Sequence, residues 1–205
     1  MLVDWTATNF TLKGSFPVTL FDDNDKNLVE KKISSEKIFE GTLLHVFKDE
    51  VELPNGHKAT REWIKHPGAS SVIPLLPDGQ IILVKQYRYP VAQVTLEIPA
   101  GKLDIMGEDP LECARRELSE ETGYTAGKIW KLTTIATTVG FSNELIHLYA
   151  ATDLTAGAQH TDDDEFINTL KIPLVEALQM VESGKIVDPK SIISLMMLAK
   201  QIGVK

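Results

Sequence analysis

With 205 residues, 43% of them hydrophobic, the chain can bury one substantial core with a small appended unit, but not two full-sized domains. Its 29 acidic against 21 basic side chains give a formal net charge of −8, which opposes non-specific contact with a nucleic acid backbone. The lone Cys113 excludes an internal disulfide, and neither a basic leader nor a run of ~20 apolar residues is present, so a soluble cytoplasmic protein with no membrane or nucleic acid partner is expected.

Residues 1 to about 35 are weakly patterned, with FPVTLF as one strand candidate and DDNDKN as a loop. Thr42 to Leu53 alternates as a strand, Pro54-Asn55-Gly56 signals a turn, and His57 to His66 reads as the returning strand of a hairpin. A second hairpin is expected from Ser71–Leu76, Pro77-Asp78-Gly79 and the apolar run Ile81–Tyr89, the last buried on both faces. Val94 to Ile98 is a short strand leading into Pro99-Ala100-Gly101. Further strands are expected over Ile129–Thr138, Leu145–Ala150 and Phe166–Ile172, followed by a helix that ends at Gly184 and another, capped by Asp188, from Pro189 to Ile202. Strands interleaved with a few helices predict a mixed α/β sheet covered by helices. Met196 and Met197 are expected to pack against that sheet.

The stretch with most chemistry runs from Gly101 to Tyr124. Asp109-Pro110 offers an N-cap and a first-turn proline, Glu112 stands at the capping-box position, and Gly123 suits a left-handed C-cap, which brackets a helix over Pro110–Thr122. At about 100° per residue, Leu111, Ala114, Leu118 and Thr122 form an apolar stripe beside a sector holding Glu117, Glu120 and Glu121. Like charges at i, i+3 and i+4 destabilise a helix unless a cation offsets them. Arg116 can supply part of that offset and a hard divalent ion such as Mg²⁺ or Mn²⁺ the rest; the plain alternative is a solvated acidic face. Cys113, near this sector, has no histidine partner for a catalytic role and is expected to be a small packed residue.

Gly101, Glu108, Arg116-Glu117-Leu118, Glu120-Glu121, Gly123 and Tyr124 resemble the Nudix box, G-x5-E-x7-R-E-U-x-E-E-x-G-U with U apolar. One residue more than the pattern separates Gly101 from Glu108, which predicts a bulged loop ahead of an intact helix register. The resemblance implies an α/β/α sandwich and hydrolysis of a nucleoside diphosphate linked to another moiety. It also implies Glu117 and Glu121 as principal metal ligands, with Glu120 and the Ala100 carbonyl assisting; Arg116 would orient carboxylates, and Gly101, Glu108 and Gly123 would be structural.

Beyond the box, Arg61–Ala69, Lys85–Pro90, Leu96–Lys102, Gly140–Glu144 and Asp162–Ile167 resemble segments of the ADP-ribose pyrophosphatase branch, which implies an Mg²⁺-dependent pyrophosphatase giving AMP and a sugar phosphate. Arg88 and Arg61 would then bind substrate, since guanidinium forks suit phosphates, although strand-end arginines are also often just solvated. Glu97 and Glu144 are further candidates for substrate contact. The base would come from the acidic run Asp162–Glu165, with Asp163 and Glu165 chosen and Glu144 in reserve. Val139 stands where that branch usually has proline, which predicts broadened substrate choice. The resemblance further implies a homodimer built through an N-terminal β unit, residues 1–66, ahead of the hydrolase domain, residues 67–205. Trp5 and Trp63 are candidates to stack on adenine or to pack in core or interface, while His66 and His160 read as structural. Two alternatives remain: a Nudix hydrolase of another nucleotide (NADH, other sugar nucleotides, an oxidised dNTP), and a Nudix-like module that senses a nucleotide without cleaving it.

Overall fold

The structure is a computed structural model that describes residues 23–161 and 165–204. The strand candidate FPVTLF, Trp5 and Asp163 lie outside the described residues. After a 3₁₀ helix over Asp23–Leu28, where a loop is expected from sequence, comes an antiparallel sheet of β1 (Lys31–Glu40), β2 (His45–Glu52) and β3 (Lys58–Lys65). β1 has no counterpart in the sequence reading. All ten of its residues are exposed, and its pairing with β2 shifts register at Lys32/Ser34 and Lys37/Phe39, so no period of two survives.

The centre of the molecule is a four-stranded mixed sheet in the order β7-β4-β9-β8, made of β4 (Ala69–Pro74), β7 (Ala100–Lys102), β8 (Tyr124–Ala136) and β9 (Leu145–Ala156), with β4 and β9 parallel. A smaller antiparallel sheet contains β5 (Gln80–Arg88) flanked by β6 (Gln93–Glu97) and β10 (Ile167–Pro173). The expected second hairpin is therefore not formed. β4 and β5 share one isolated bridge, Leu75 to Ile81, and belong to different sheets. β4 is buried along its whole length and finds a parallel partner in β9; Pro74, at its end, has no N–H to continue a ladder.

Alternate residues of β4 serve opposite faces of the central sheet. Val72 packs with Tyr149 and Ala151 against Ala114 and Leu118 of α1 (Pro110–Thr122). Ile73 and Ala150 join the core made with α2 (Leu174–Glu182) and α3 (Pro189–Ile202), where Leu195 and Leu198 are fully buried. Helices thus cover both faces, an α/β/α arrangement. Met196, expected to pack inward, is 59% exposed, and its neighbours Leu195 and Leu198 take the inner face instead. Among the described residues, no helix is long and apolar enough to cross a membrane.

Candidate active site

α1 begins and ends where its caps place it. Asp109 accepts a hydrogen bond from the Leu111 N–H at 2.8 Å, and Gly123 closes the helix at φ +74° with its N–H donated to the Ser119 carbonyl. A Cβ at Gly123 would also lie 2.9 Å from backbone atoms of Gly157, Ala158 and Gln159, so the residue is fixed by conformation and by space together. That close approach lets the segment after β9 dock on the helix: the Gln159 amide donates to the Glu121 carbonyl at 2.7 Å, and the His160 N–H to the Glu120 carbonyl at 2.9 Å. His160 acts through its backbone here, in keeping with a structural reading, and Gln159 is a tether that carries no sequence signal. The extra residue ahead of the helix is taken up by an outward turn. The Glu108 N–H reaches the Ile105 carbonyl, Gly107 lies at φ +81°, and Met106 is fully exposed.

Arg116 gathers the acidic groups of the helix and its approach loop. It donates to Glu108 through Nε (2.9 Å) and Nη2 (3.1 Å), and through Nη1 to Glu117 (2.7 Å) and Glu120 (2.8 Å). The hydrogen bonds donated to Glu108 come first among the causes that hold this guanidinium well above its ordinary pKa. Cys113 is a packed residue. Its thiol faces the Gly101 and Lys102 carbonyls, and burial pushes its pKa up to about 12.

Glu121 lies beyond Arg116's fork. It is 3% exposed, and its Oε2 accepts from the Ala100 N–H at 3.0 Å. Burial, followed by the charge of Glu117, pushes its pKa up to about 8; burial likewise raises Glu117 to about 7 despite Arg116. The charge of Glu165 reaches both carboxylates. A pair of buried carboxylates whose charges are this poorly offset is chemically suited to a hard divalent cation. Among the described residues, no three His, Cys, Asp or Glu side chains form a ready-made metal cluster, so backbone and substrate oxygens would have to complete the coordination. Gly101 makes room for the pair: a Cβ there would sit 1.9 Å from Glu117 Oε1. Gly101→Ala is therefore expected to displace the end of a flexible side chain while leaving the fold in place. Melting should shift by no more than roughly 2 °C, while Mg²⁺ activation weakens at least about tenfold, as paired melting and Mg²⁺ titrations would show.

The other candidates fall into two groups. Glu97 and Arg88 are together: Arg88 Nε and Nη2 bind the two Glu97 oxygens at 2.8 and 2.7 Å, and Thr95 and Lys190 donate to the same carboxylate. Burial alone would raise the Glu97 pKa, but these donors outweigh it and hold the group far below the usual carboxylate range. Arg88 lines an open groove of about 400 Å³ with Gln93, Glu97, Asp188 and Lys190, and the charge of Glu121 helps keep it protonated. Arg61 and Glu144 are held elsewhere. Arg61 is paired with Glu30 on the N-terminal sheet, while Glu144 is bound by Thr137 and lies 3.4 Å from His66 Nε2. The His66 ring also accepts from the Gly68 N–H, a turn-holding role. Trp63 stacks on Phe47 at 5.2 Å between ring centroids, as packing within that sheet. Val139 follows Thr138 in a turn closed by the Phe141 N–H to the Thr138 carbonyl, a position that proline also favours.

Residues 65–192 match the family model described as NUDIX domain. The chain belongs to the Nudix family and is a Nudix hydrolase. Residues 30–64 match a second model, nucleoside diphosphate sugar hydrolase N-terminal domain. The chain is 44% identical over 168 residues to an ADP-ribose pyrophosphatase of Bacillus subtilis (strain 168), covering 81% of this chain and 90% of that protein. It is 43% identical over 178 residues to a methanol dehydrogenase activator of Bacillus methanolicus, covering 86% and 96%. A solved structure titled as an ADP compounds hydrolase superposes with a TM-score of 0.75 at 20% identity, covering 85% of this chain and 94% of its own, which supports the fold.

Proposed function

We propose that this Nudix hydrolase cleaves the diphosphate of ADP-ribose, giving AMP and ribose 5-phosphate, and accepts other ADP-sugars less well. The observation that carries this reading is the placement of Arg88, fixed by Glu97 beside an open groove, within reach of the charge of the buried Glu121. A guanidinium next to a cation site is complementary to a diphosphate, and the relative from Bacillus subtilis carries the corresponding name. Glu117, Glu121 and Glu120, with the Ala100 carbonyl, would hold Mg²⁺, with Mn²⁺ as a substitute. When bound, the metal would neutralise diphosphate charge and lower the pKa of a water molecule. Arg116 keeps Glu117 and Glu120 in place, and the Ala100 N–H does so for Glu121. The proton of the attacking water would pass to Glu165 or Asp163. Glu165 is supported by the reach of its charge to both buried carboxylates.

The N-terminal unit, residues 1–66, is proposed to dimerise, leaving 67–205 as the hydrolase domain. Ile33, Ile38 and Phe39 on β1 are each about half exposed, an apolar surface that a second copy would cover. Such a dimer gives Arg61 a route to a partner's substrate groove. The proposed compartment is the cytoplasm. A sensor without catalysis is disfavoured by the retention of Glu117, Glu120 and Glu121.

Purified protein assayed with ADP-ribose, ADP-glucose, NADH and dGTP, in Mg²⁺ and in EDTA, tests the reading. The expected result is a kcat/KM for ADP-ribose at least about tenfold above that for dGTP, with no turnover in EDTA. Preference for dGTP would overturn the substrate, and turnover in EDTA the metal.

A further inference from the structure

The N-terminus of α3 is built in a way that helix capping does not explain. Asp188 is the N-cap and accepts from the Ser191 N–H at 3.0 Å and from the Ser191 hydroxyl, which is sufficient to cap the helix. Between these residues stands Lys190, a cation in the first turn, where the helix dipole disfavours positive charge. It is also buried, 7% exposed, and a buried charge adds desolvation that an apolar residue of similar length would avoid. Its ammonium lies 3.0 Å from Asp188 and donates to Glu97, 93 residues earlier in the chain.

Glu97 is the residue that fixes Arg88. Thr95 and Arg88 Nε share its Oε1, and Lys190 and Arg88 Nη2 share its Oε2, so among the described residues Lys190 supplies the one charged contact on this carboxylate besides Arg88. Two of Arg88's five N–H donors are used by Glu97, and the other three have no protein partner among the described residues. The four charges balance: Asp188 and Glu97 against Lys190 and Arg88. Without Lys190, two carboxylates, Glu97 and Asp188, face one guanidinium, and the free N–H donors of Arg88 would be drawn to them in competition with a ligand in the groove they line. Ser191 completes the attachment, because its hydroxyl accepts from the Ile98 N–H at 2.8 Å and so ties α3 to the strand that leads into Ala100.

We propose that Lys190 is a positioning residue for substrate binding, acting through Glu97 to hold the Arg88 guanidinium with its free donors directed into the groove for the diphosphate. This rests on the reading of Arg88 as a diphosphate ligand. The contact made by Arg88 exists in the bound substrate as well as in the transition state, so loss of its positioning appears mainly in KM. A helix that merely docks poorly would instead lower the fraction of active enzyme and hence kcat.

The test is a double-mutant cycle on the full chain, with ADP-ribose and saturating Mg²⁺, of Lys190→Met and Arg88→Ala, with Lys190→Arg as the charge-conserving variant and melting curves for all four variants. Lys190→Met is expected to raise KM by about 10- to 100-fold with kcat changed less than about threefold, and Lys190→Arg to recover most of that loss. In the Arg88→Ala background, Lys190→Met should add less than about a twofold loss in kcat/KM. If the loss from Lys190→Met falls on kcat with KM unchanged, or is as large without Arg88 as with it, the positioning role is overturned while Arg88 keeps its assignment. If Arg88→Ala alone leaves KM unchanged, both the diphosphate reading of Arg88 and the role of Lys190 fail. Should Lys190→Met prove too unstable to assay, Lys190→Gln, which keeps hydrogen-bond donors but removes the charge, takes its place: a raised KM with kcat changed less than about threefold supports the proposal, and an unchanged KM overturns it.

Discussion

Glu121→Gln is expected to lose nearly all turnover, about three orders of magnitude in kcat at saturating Mg²⁺, while the fold is retained or gains stability. Glutamine has almost the same shape, and its carbonyl oxygen can accept the Ala100 N–H that now reaches Oε2 at 3.0 Å. What changes is the charge, and an amide is a poor ligand for a hard cation beside a carboxylate. Removing the charge also relieves the repulsion from Glu117, which after burial is the next cause raising the proton affinity of Glu121. Activity and stability should therefore move in opposite directions, which a folding defect cannot produce. Glu120 provides the comparison. Its side chain is 38% exposed and neutralised by Arg116, so Glu120→Gln should lose about tenfold or less. Steady-state kinetics over a Mg²⁺ series, with melting curves, checks both; near wild-type kcat for Glu121→Gln would sink the metal assignment.

How far the sequence speaks for the structure depends on how local each decision is. The limits of α1 follow residue for residue from Asp109, Pro110 and Gly123, because capping is settled within one turn of backbone. The burial of Ile81–Val84 is likewise visible as an unbroken apolar run. Which strand that run pairs with is not visible. β5 joins β6 and β10 and not β4, since the turn at Pro77-Asp78-Gly79 carries the chain from one sheet to another, and a turn signal says nothing of the sheet that receives the next strand. At the site, Glu117, Glu120, Glu121 and Arg116 are legible through helical periodicity. Arg88 and Glu97 each stand out in the sequence as candidates for the substrate, but that they grip one another is not legible: the antiparallel register sets Arg88 opposite Gln93 and Glu97 opposite Val84, at the two ends of the ladder, and the long arginine side chain closes the gap. Lys190 sits 93 residues from its partner. Its one local sign is a lysine in the first turn after an Asp-Pro cap, at odds with the helix dipole.

Metal-free protein is expected to become less stable as pH rises from 6.5 to 8, and Mg²⁺ to abolish that slope. The ordinary carboxylate pKa is 4.5, while Glu117 and Glu121 in the fold titrate at about 7 and about 8. Between those limits the folded chain holds protons that the unfolded chain has released, so stability is complete below pH 4.5 and is lost as pH climbs through 7 and 8. Two other buried groups, Glu97 and His147, act in the opposite sense but lower down. Glu97 is depressed in the fold, and its contribution is lost only in acid below 4.5. Burial lowers His147 to about 4 from 6.5, which makes stability rise with pH in that range and fade as a source of slope above it. From pH 6.5 to 8, therefore, the buried glutamates dominate. About one proton per molecule across that interval corresponds to about 2 kcal/mol, or roughly 5 °C in Tm. A divalent cation favours the ionised carboxylates and competes with their protons, so its stabilisation should be greatest at pH 8 and smallest at pH 6.5. Glu121→Gln should show a shallower slope in EDTA and little response to Mg²⁺. Melting curves at five pH values, in EDTA and in Mg²⁺, decide the matter: a Tm in EDTA that is flat or rising across this interval, or a Mg²⁺ shift equal at both ends, would mean that the two glutamates keep their charges in the fold without a cation.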